Sequence, residues 1–302
     1  GIRWRARLVS VYGRRKPFKA AGSMSENLRA ILDRLARDVP GARERGTYFE
    51  NLALAYLRHD AVQSAYYADV QPFAEWAEAQ GHDKNDTGID LVATLRDGTG
   101  FCAVQCKFYG EGQRVEKSDI DSFFTASGRI GIVQRLIIDT SDGNWSANAE
   151  KALEDQAIPT QRIGLSDLEA SDILWSEFAQ SGDIKKATPK KLLPHQEDAL
   201  KAVSSGLQTA DRGKLILACG TGKTVTSLRI AEEMVGIGGA VLFMVPSLAL
   251  MAQAVREWTN DAMVPLRSFA VCSDAKVGKR QGRKDTADIA VHDLASPATT
   301  DG

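Results

Sequence analysis

The dipeptide Asp97-Gly98 lies between two apolar runs, Gly88–Thr94 and Phe101–Phe108. Glycine reaches positive φ without steric cost, and Asp-Gly favours the tight turns whose twist matches that of paired strands. The pair therefore predicts an antiparallel hairpin and fixes its register. With Asp97-Gly98 as a two-residue tip, Arg96 pairs with Thr99, Asp90 falls opposite Gln105, and Gly88 falls opposite Lys107. Strand alternation puts Phe101, Ala103, Gln105 and Lys107 on one face and Cys102, Val104, Cys106 and Phe108 on the other. One carboxylate, one amide oxygen and one ammonium then share a patch of sheet. That set suits phosphodiester chemistry: oxygens hold a hard divalent cation, and an ammonium stands beside the attacked phosphate. The competing reading is a solvated polar face of an ordinary hairpin.

The elements around the hairpin predict an α/β domain. Ser25 is placed to cap a helix carrying Leu28, Ile31, Leu32 and Leu35 at helical spacing, which Pro40-Gly41 ends. A second helix is expected from Thr47 through Tyr56, with Glu50 three residues after Thr47 as a capping box. Tyr66–Phe73 leans to strand. After the hairpin come a glycine-rich polar loop at Tyr109–Arg114, a helix at Ser118–Arg129, and a strand at Gln134–Thr140. A helix at Ser146–Gln156, a strand at Gln161–Gly164 and a helical piece at Leu168–Phe178 follow. Helix, hairpin, helix, strand, helix, strand is the order of a mixed sheet covered by helices. Residues 181–192 are polar and aperiodic. They read as a solvated linker whose Lys185, Lys186, Lys190 and Lys191 are candidate phosphate contacts.

Beyond the linker a second pattern appears. Lys214–Ala218 is an apolar strand candidate running into Cys219-Gly220-Thr221-Gly222-Lys223-Thr224 and then a helix to about Val235. Strand, glycine loop and helix form the setting of a phosphate-binding loop. The glycines let backbone N–H groups turn toward phosphate, and the helix N-terminus adds a favourable field. Lys223 would reach the β- and γ-phosphates of ATP, and Thr224 would ligate the nucleotide's Mg²⁺. Ala240–Val245 reads as another buried strand and Arg267–Cys272 as a third. A basic cluster follows at Lys276, Lys279, Arg280, Arg283 and Lys284.

The whole chain has 302 residues and a formal net charge of −1. The length suggests two domains. The charge excludes a uniformly basic nucleic-acid binder, so any DNA contact must come from local patches. The four cysteines show no zinc spacing and read as reduced core residues. No apolar run approaches the roughly 20 residues of a membrane span. Residues 1–23 carry Arg3, Arg5, Arg7, Arg14, Arg15, Lys16 and Lys19 and no acid. The favoured reading is a basic extension ahead of a natural start at Met24. A transit peptide and a DNA-binding arm are the alternatives.

Gly88-Ile89-Asp90 followed by Val104-Gln105-Cys106-Lys107-Phe108 resembles the core of Mrr-like restriction endonucleases, a branch of the PD-(D/E)xK nucleases. Gln105 stands where the parent motif has Glu, and Ile89 stands where it has Pro. The resemblance implies that Asp90, Gln105 and the carbonyl of Cys106 hold Mg²⁺ or Mn²⁺. It also implies that Lys107 positions the attacking water. Arg45-Gly46-Thr47-Tyr48-Phe49-Glu50 is similar to the helix from which these nucleases send a glutamate toward the metal, so Glu50 is either that residue or a helix cap. The phosphate loop, with Ala218 at its opening, resembles that of superfamily-two helicases. In that family Gln196 of Leu193-Pro194-His195-Gln196 would read the adenine edge, and Ser247 and Gln253 would contact the DNA backbone. For Gln196 an ordinary helix start, and for Ser247 an N-cap, are the alternatives.

Together the two parts resemble the amino-terminal portion of single-chain, ATP-dependent type ISP restriction enzymes. The expected architecture is an Mrr-like restriction-endonuclease fold (24–180), a linker (181–192) and an incomplete RecA-like P-loop domain (193–302). The resemblance implies DNA endonuclease activity on double-stranded DNA in a prokaryotic cytoplasm. It also implies methyltransferase and target-recognition domains in a longer parent chain, which alone would hydrolyse ATP. Two rivals are a degenerate nuclease-fold DNA-binding module on a helicase, and a helicase-centred defence or repair protein whose nuclease fold senses DNA ends.

Overall fold

The structure, a computed structural model, describes residues 27–84, 88–110, 112–129, 131–154, 156–271 and 298–299. The basic segment 1–23, Ser25, Cys272 and the cluster at 276–284 lie outside these residues. The first domain contains α1 (Leu28–Asp38), α2 (Ala42–His59), α3 (Gln63–Tyr66), β1 (Tyr67–Pro72), α4 (Phe73–Ala79), β2 (Leu91–Leu95) and β3 (Phe101–Lys107). It continues with α5 (Lys117–Ala126), β4 (Ile132–Asp139), α6 (Ala147–Ala152), β5 (Thr160–Ile163), α7 (Leu165–Glu169) and α8 (Trp175–Ser181). The five strands form one sheet in the order β1-β2-β3-β4-β5. β1, β2 and β3 are antiparallel, and β4 and β5 join β3 in parallel.

Each face of the sheet buries its own apolar cluster. On one face α1 and α2 place Leu28, Ile31, Phe49, Leu52 and Tyr56 over Ala93, Val104, Leu136 and Ile138. On the other, α4 and α5 place Phe73, Trp76, Ile120 and Phe123 over Val92, Ala103 and Ile137. Neighbouring residues of one strand thus serve opposite cores, as period-two alternation requires.

Several local expectations are corrected. α1 is capped by Asn27, whose side chain accepts from the Ala30 amide at 2.9 Å. α2 starts at Ala42 behind an N-cap at Gly41, so Thr47 is interior and no capping box explains Glu50. The expected piece at 168–178 divides into α7 and α8, with the Trp175 indole donating to the Leu168 carbonyl at 2.8 Å. The linker is solvated, as expected, with residues 181–192 mostly exposed, but it is also pinned at several points. Leu174 and Ala187 amides bond the Lys185 and Asp172 carbonyls at 2.8 and 2.6 Å. Lys185, Lys186 and Lys190 pair with Glu177, Asp172 and Asp261. The three lysines are themselves exposed, so these are surface ion pairs of small energy.

The second domain contains α9 (Pro194–Leu207), α10 (Lys223–Val235), α11 (Leu248–Asp261) and the short parallel pair β6 (Ala270–Val271) and β7 (Ala298–Thr299). Lys214–Ala218 and Ala240–Val245 were expected as buried strands. Among the described residues neither enters a ladder, and Ile216, Leu242 and Met244 are over 80 % exposed. A parallel strand needs neighbours to accept its backbone hydrogen bonds and helices to cover its faces. Apolar composition alone supplies neither. The third expected strand is likewise reduced to Ala270–Val271.

Candidate functional site

The hairpin register is the one its turn dictates: Leu91 pairs with Val104 and Thr94 with Phe101. The tip is wider than two residues. Arg96–Thr99 bridge Leu95 and Gly100, whose amide and carbonyl bond at 3.0 Å, and the Gly98 amide donates to the Leu95 carbonyl at 3.2 Å. Asp97 closes this turn by accepting from the Thr99 amide and hydroxyl. Arg96 and Thr99 are therefore not a ladder pair, but the wider turn leaves the register unchanged.

At the other end of the hairpin, Asp90 sits one residue before β2. Its amide donates to the Val104 carbonyl and its carbonyl accepts from the Phe73 amide, both at 2.9 Å. The side chain reaches across to β3, where its Oδ2 accepts from the Cys106 amide at 2.6 Å. Gln105 is 3 % exposed, and its Nε2 donates to the Gly88 carbonyl at 3.1 Å. Lys107 ends β3, half-buried, in register with Asp139 of β4.

Glu50 approaches from α2, on the opposite side of the sheet from Gln105. Burial drives the Cys106 thiol well above its ordinary range, the charges of Asp90 and Glu50 add to this, and Lys107 opposes it. All three charged groups thus act on one short stretch of β3. Packing of Phe49 against Phe108, 6.0 Å between ring centres, fixes that turn of α2 over the strand. Gln105 is set apart from Glu50 by the sheet, and the structure gives it a partner the residue pattern did not suggest: Gly88. At φ +109° Gly88 occupies a backbone region that strains any side chain, and a Cβ there would stand 3.0 Å from the Ser122 hydroxyl and 3.1 Å from the Phe123 amide of α5. The glycine beside Asp90 in the sequence was the available signal.

Asp139 is a second group that sequence reasoning passed over. Its carboxylate is 1 % exposed and accepts from the Ser141 amide and hydroxyl and the Trp145 indole. Burial raises its pKa against those bonds. Its bonds are spent on holding the chain after β4.

The residues at the hairpin end fit a hard cation. The Oε1 atom of Gln105 is buried with no hydrogen-bond partner, and such an acceptor is costly unless something fills its lone pairs. Among the described residues no group of three or more His, Cys, Asp or Glu could hold a metal. The donors at this end are carboxylate, amide and carbonyl oxygens, which suit Mg²⁺ or Mn²⁺ rather than zinc.

The phosphate loop adopts the backbone its glycines permit. Gly220 and Gly222 have φ of +77° and +78°, and Gly222 is the N-cap of α10. Lys223 Nζ donates to the Ala218 carbonyl at 3.0 Å, as does the Thr221 hydroxyl at 2.8 Å. Gln196 uses its amide inside the protein: Oε1 accepts from the Leu193 amide, and Nε2 donates to the Thr221 carbonyl at 2.9 Å. This anchors α9 to the loop, so in this structure the amide faces the loop and not a base edge. Thr224 follows Lys223 into α10, and its carbonyl accepts from the Trp258 indole of α11 at 3.1 Å. Ser247 is the N-cap of α11, accepting from the Leu250 amide at 3.3 Å. Gln253 pairs with Glu257 along the same helix at 2.7 Å.

α11 also joins the domains. Arg256 is bonded to Asp167 of α7, and Asn260 donates to the Ala170 carbonyl at 3.0 Å. A cleft of about 710 Å³ lies along this seam. No helix among the described residues is long and apolar enough to cross a membrane.

Comparison with known families finds a restriction endonuclease domain followed by a helicase-like domain. Residues 58–185 match a family described as restriction endonuclease, of the Mrr catalytic kind, and residues 189–296 match the family of the type III restriction enzyme, res subunit. In particular, the chain is similar to the ATP-dependent type ISP restriction-modification enzyme LlaBIII, solved bound to DNA. The two are 32 % identical with a TM-score of 0.73 over 91 % of this chain and 17 % of that one. The chain thus spans about one sixth of the length of LlaBIII. The MspJI restriction endonuclease, in complex with a 27-mer oligonucleotide, matches 61 % of this chain and 38 % of that one at 19 % identity. Its TM-score of 0.33 is too low to equate the folds. No curated protein matches the chain.

Proposed function

We propose that the first domain hydrolyses DNA phosphodiesters with a divalent metal, and that the second binds ATP as part of a DNA-translocating motor. The observation that supports this most is the tether of Asp90 to the Cys106 amide beside the bare Oε1 of Gln105. It gathers an acid, an amide oxygen and Lys107 at one hairpin end. Asp90, Gln105 and the Cys106 carbonyl would hold Mg²⁺ or Mn²⁺. When bound, the ion supplies charge for the phosphorane and lowers the pKa of water. The Cys106 amide holds the Asp90 carboxylate in one orientation. Lys107 donates to the attacking water and to the phosphate oxygens. Glu50, across the sheet from Gln105, adds negative charge at the Cys106 end of β3 from α2.

In the second domain Gly220, Thr221 and Gly222 present backbone amides to phosphate. Lys223 would leave the Ala218 carbonyl to hold the β- and γ-phosphates, and Thr224 would ligate the nucleotide's Mg²⁺. Gln196 holds the loop, and reads adenine only after releasing Thr221. Ser247 and Gln253 face the DNA backbone. Double-stranded DNA is the substrate. Methyltransferase and target-recognition functions, and ATP-driven translocation, are expected of a longer protein of the LlaBIII kind acting in a prokaryotic cytoplasm.

The test is nicking of supercoiled plasmid with Mg²⁺ or Mn²⁺ by the chain, Asp90→Ala and Lys107→Ala. Nicking by the wild type, loss in both variants and loss with EDTA is the expected result. Full nicking by either variant would remove these residues from the chemistry. Inactivity of the wild type with both metals would favour a nuclease-fold DNA-binding module.

A further inference from the structure

Gln105 occupies the position where the parent motif has a glutamate, and the substitution is a plain loss of one ligand charge only if the side chain has a single task. Here it has two. Its Nε2 donates to the Gly88 carbonyl, and its Oε1 is left buried and unpaired. The orientation of a side-chain amide is set by its neighbours. Turning this one over would place Oε1 against the Gly88 carbonyl, acceptor against acceptor, so the observed orientation is enforced.

Gly88 packs closely on α5. At φ +109° a Cβ built on it would stand 3.0 Å from the Ser122 hydroxyl and 3.1 Å from the Phe123 amide, so only glycine brings its carbonyl here. The next residues are Ile89, which is 1 % exposed, and Asp90, tied to the Cys106 amide. One bend therefore controls both ligands: it positions Asp90 through the chain and Gln105 through the hydrogen bond.

We infer that the amide of Gln105 is required by this fold, with the Gly88 carbonyl as a positioning group that aims Oε1 at the metal. On this reading glutamine is not a weakened glutamate. A carboxylate at position 105 has no hydrogen to give Gly88, and would meet its carbonyl in a buried setting where unpaired acceptors repel. The added charge cannot be used where the side chain can no longer be held. The inference rests on the metal-nuclease reading of the hairpin.

The experiment uses the full chain as wild type, Gln105→Glu and Asp90→Ala, with thermal melting and calorimetric titration with Mn²⁺ alone. In the wild type labelled with ¹⁵N and ¹³C, the Gln105 side-chain amide protons are also followed, assigned through their bonds to the Gln105 backbone. The inference predicts that Gln105→Glu melts lower by roughly 3–10 °C and binds Mn²⁺ about tenfold more weakly than the wild type despite its extra charge. In the metal-free wild type, one Gln105 amide proton is slow to exchange, and Mn²⁺ broadens it. A Gln105→Glu chain as stable as the wild type that binds Mn²⁺ as tightly or more tightly overturns the inference. A fast-exchanging Gln105 amide does so too, even if the variant fails to fold. If the wild type binds Mn²⁺ and loses it in Asp90→Ala, the metal reading stands whatever Gln105→Glu does. If the wild type binds none, that reading falls and takes the inference with it.

Discussion

At the scale of single residues, the chain carries charges whose worth depends on what surrounds them. Asp60 is 2 % exposed and accepts from the Val62 and Gln63 amides at 2.9 and 3.0 Å. Burial outweighs these bonds and pushes its carboxyl up to about 6. An unfolded aspartate titrates near 3.9. The folded chain therefore binds the proton more tightly between those values. The stabilisation is fully present below about pH 4 and is lost as pH rises through 6. Asp60→Asn keeps an acceptor for the two amides and removes the buried charge. It should flatten the stability profile between about pH 4 and 6 and gain up to roughly 3 kcal/mol at pH 8. Melting curves that stay parallel across that range would count against this. Gly222 makes a second residue-scale case. At φ +78°, alanine costs about 1–2 kcal/mol, and its Cβ would collide with the Gln196 amide. Gly222→Ala should lower the melting temperature and abolish binding of a fluorescent ATP analogue.

Elements decide which of these residues meet. Apolar spacing made α1 legible, although its cap, Asn27, was not chosen correctly. Propensity cannot distinguish Ser25 from Asn27, because both cap well. For α2 the start was misplaced: Thr47 and Glu50 have capping-box spacing, but Ala42–Gly46 continue the helix inward. That correction removes the capping box as a reason for Glu50 and leaves its position over β3. Phe49, fully buried against Phe108, holds α2 there. Phe49→Ala should cost about 3–5 kcal/mol and depress nicking more than equal destabilisation elsewhere does. Comparison at matched folded fraction with Leu153→Ala, a buried residue of the other core, separates the two effects. The hairpin behaves differently: its register survived a wider turn, because alternation on two buried faces forbids a one-residue slip.

The whole molecule is held by contacts that no local pattern announces. Arg256 and Asn260 on α11 reach Asp167 and Ala170 of the nuclease domain. Asp261 binds Lys190, while Arg229 bonds both the Lys190 and Asp261 carbonyls. α11 therefore carries Ser247 and Gln253 on a helix docked against the nuclease domain. Replacing Arg256 and Asn260 together by alanine removes the Arg256–Asp167 pair and the hydrogen bond from Asn260 to the Ala170 carbonyl. It should weaken docking by about 1–3 kcal/mol. Faster protease cleavage within 181–192 and a larger radius of gyration by X-ray scattering are expected. An unchanged cleavage rate would show that these two contacts do not hold the domains together.

By itself the sequence determined the hairpin register, the mixed order of the sheet's elements, the phosphate loop and the division into two domains. These follow from turn chemistry, strand alternation and glycine's backbone freedom, all local and all readable along the chain. Only the tertiary structure decided that Asp90 is tethered by the Cys106 amide, that Gln105 is held by Gly88, and that Gln196 grips the loop. It alone decided that Lys185, Lys186 and Lys190 pair with carboxylates. The apolar segments Lys214–Ala218 and Ala240–Val245 show the same division from the other side. Their composition promised strands, but a strand exists only where another chain segment accepts its hydrogen bonds, and pairing is a property of three dimensions.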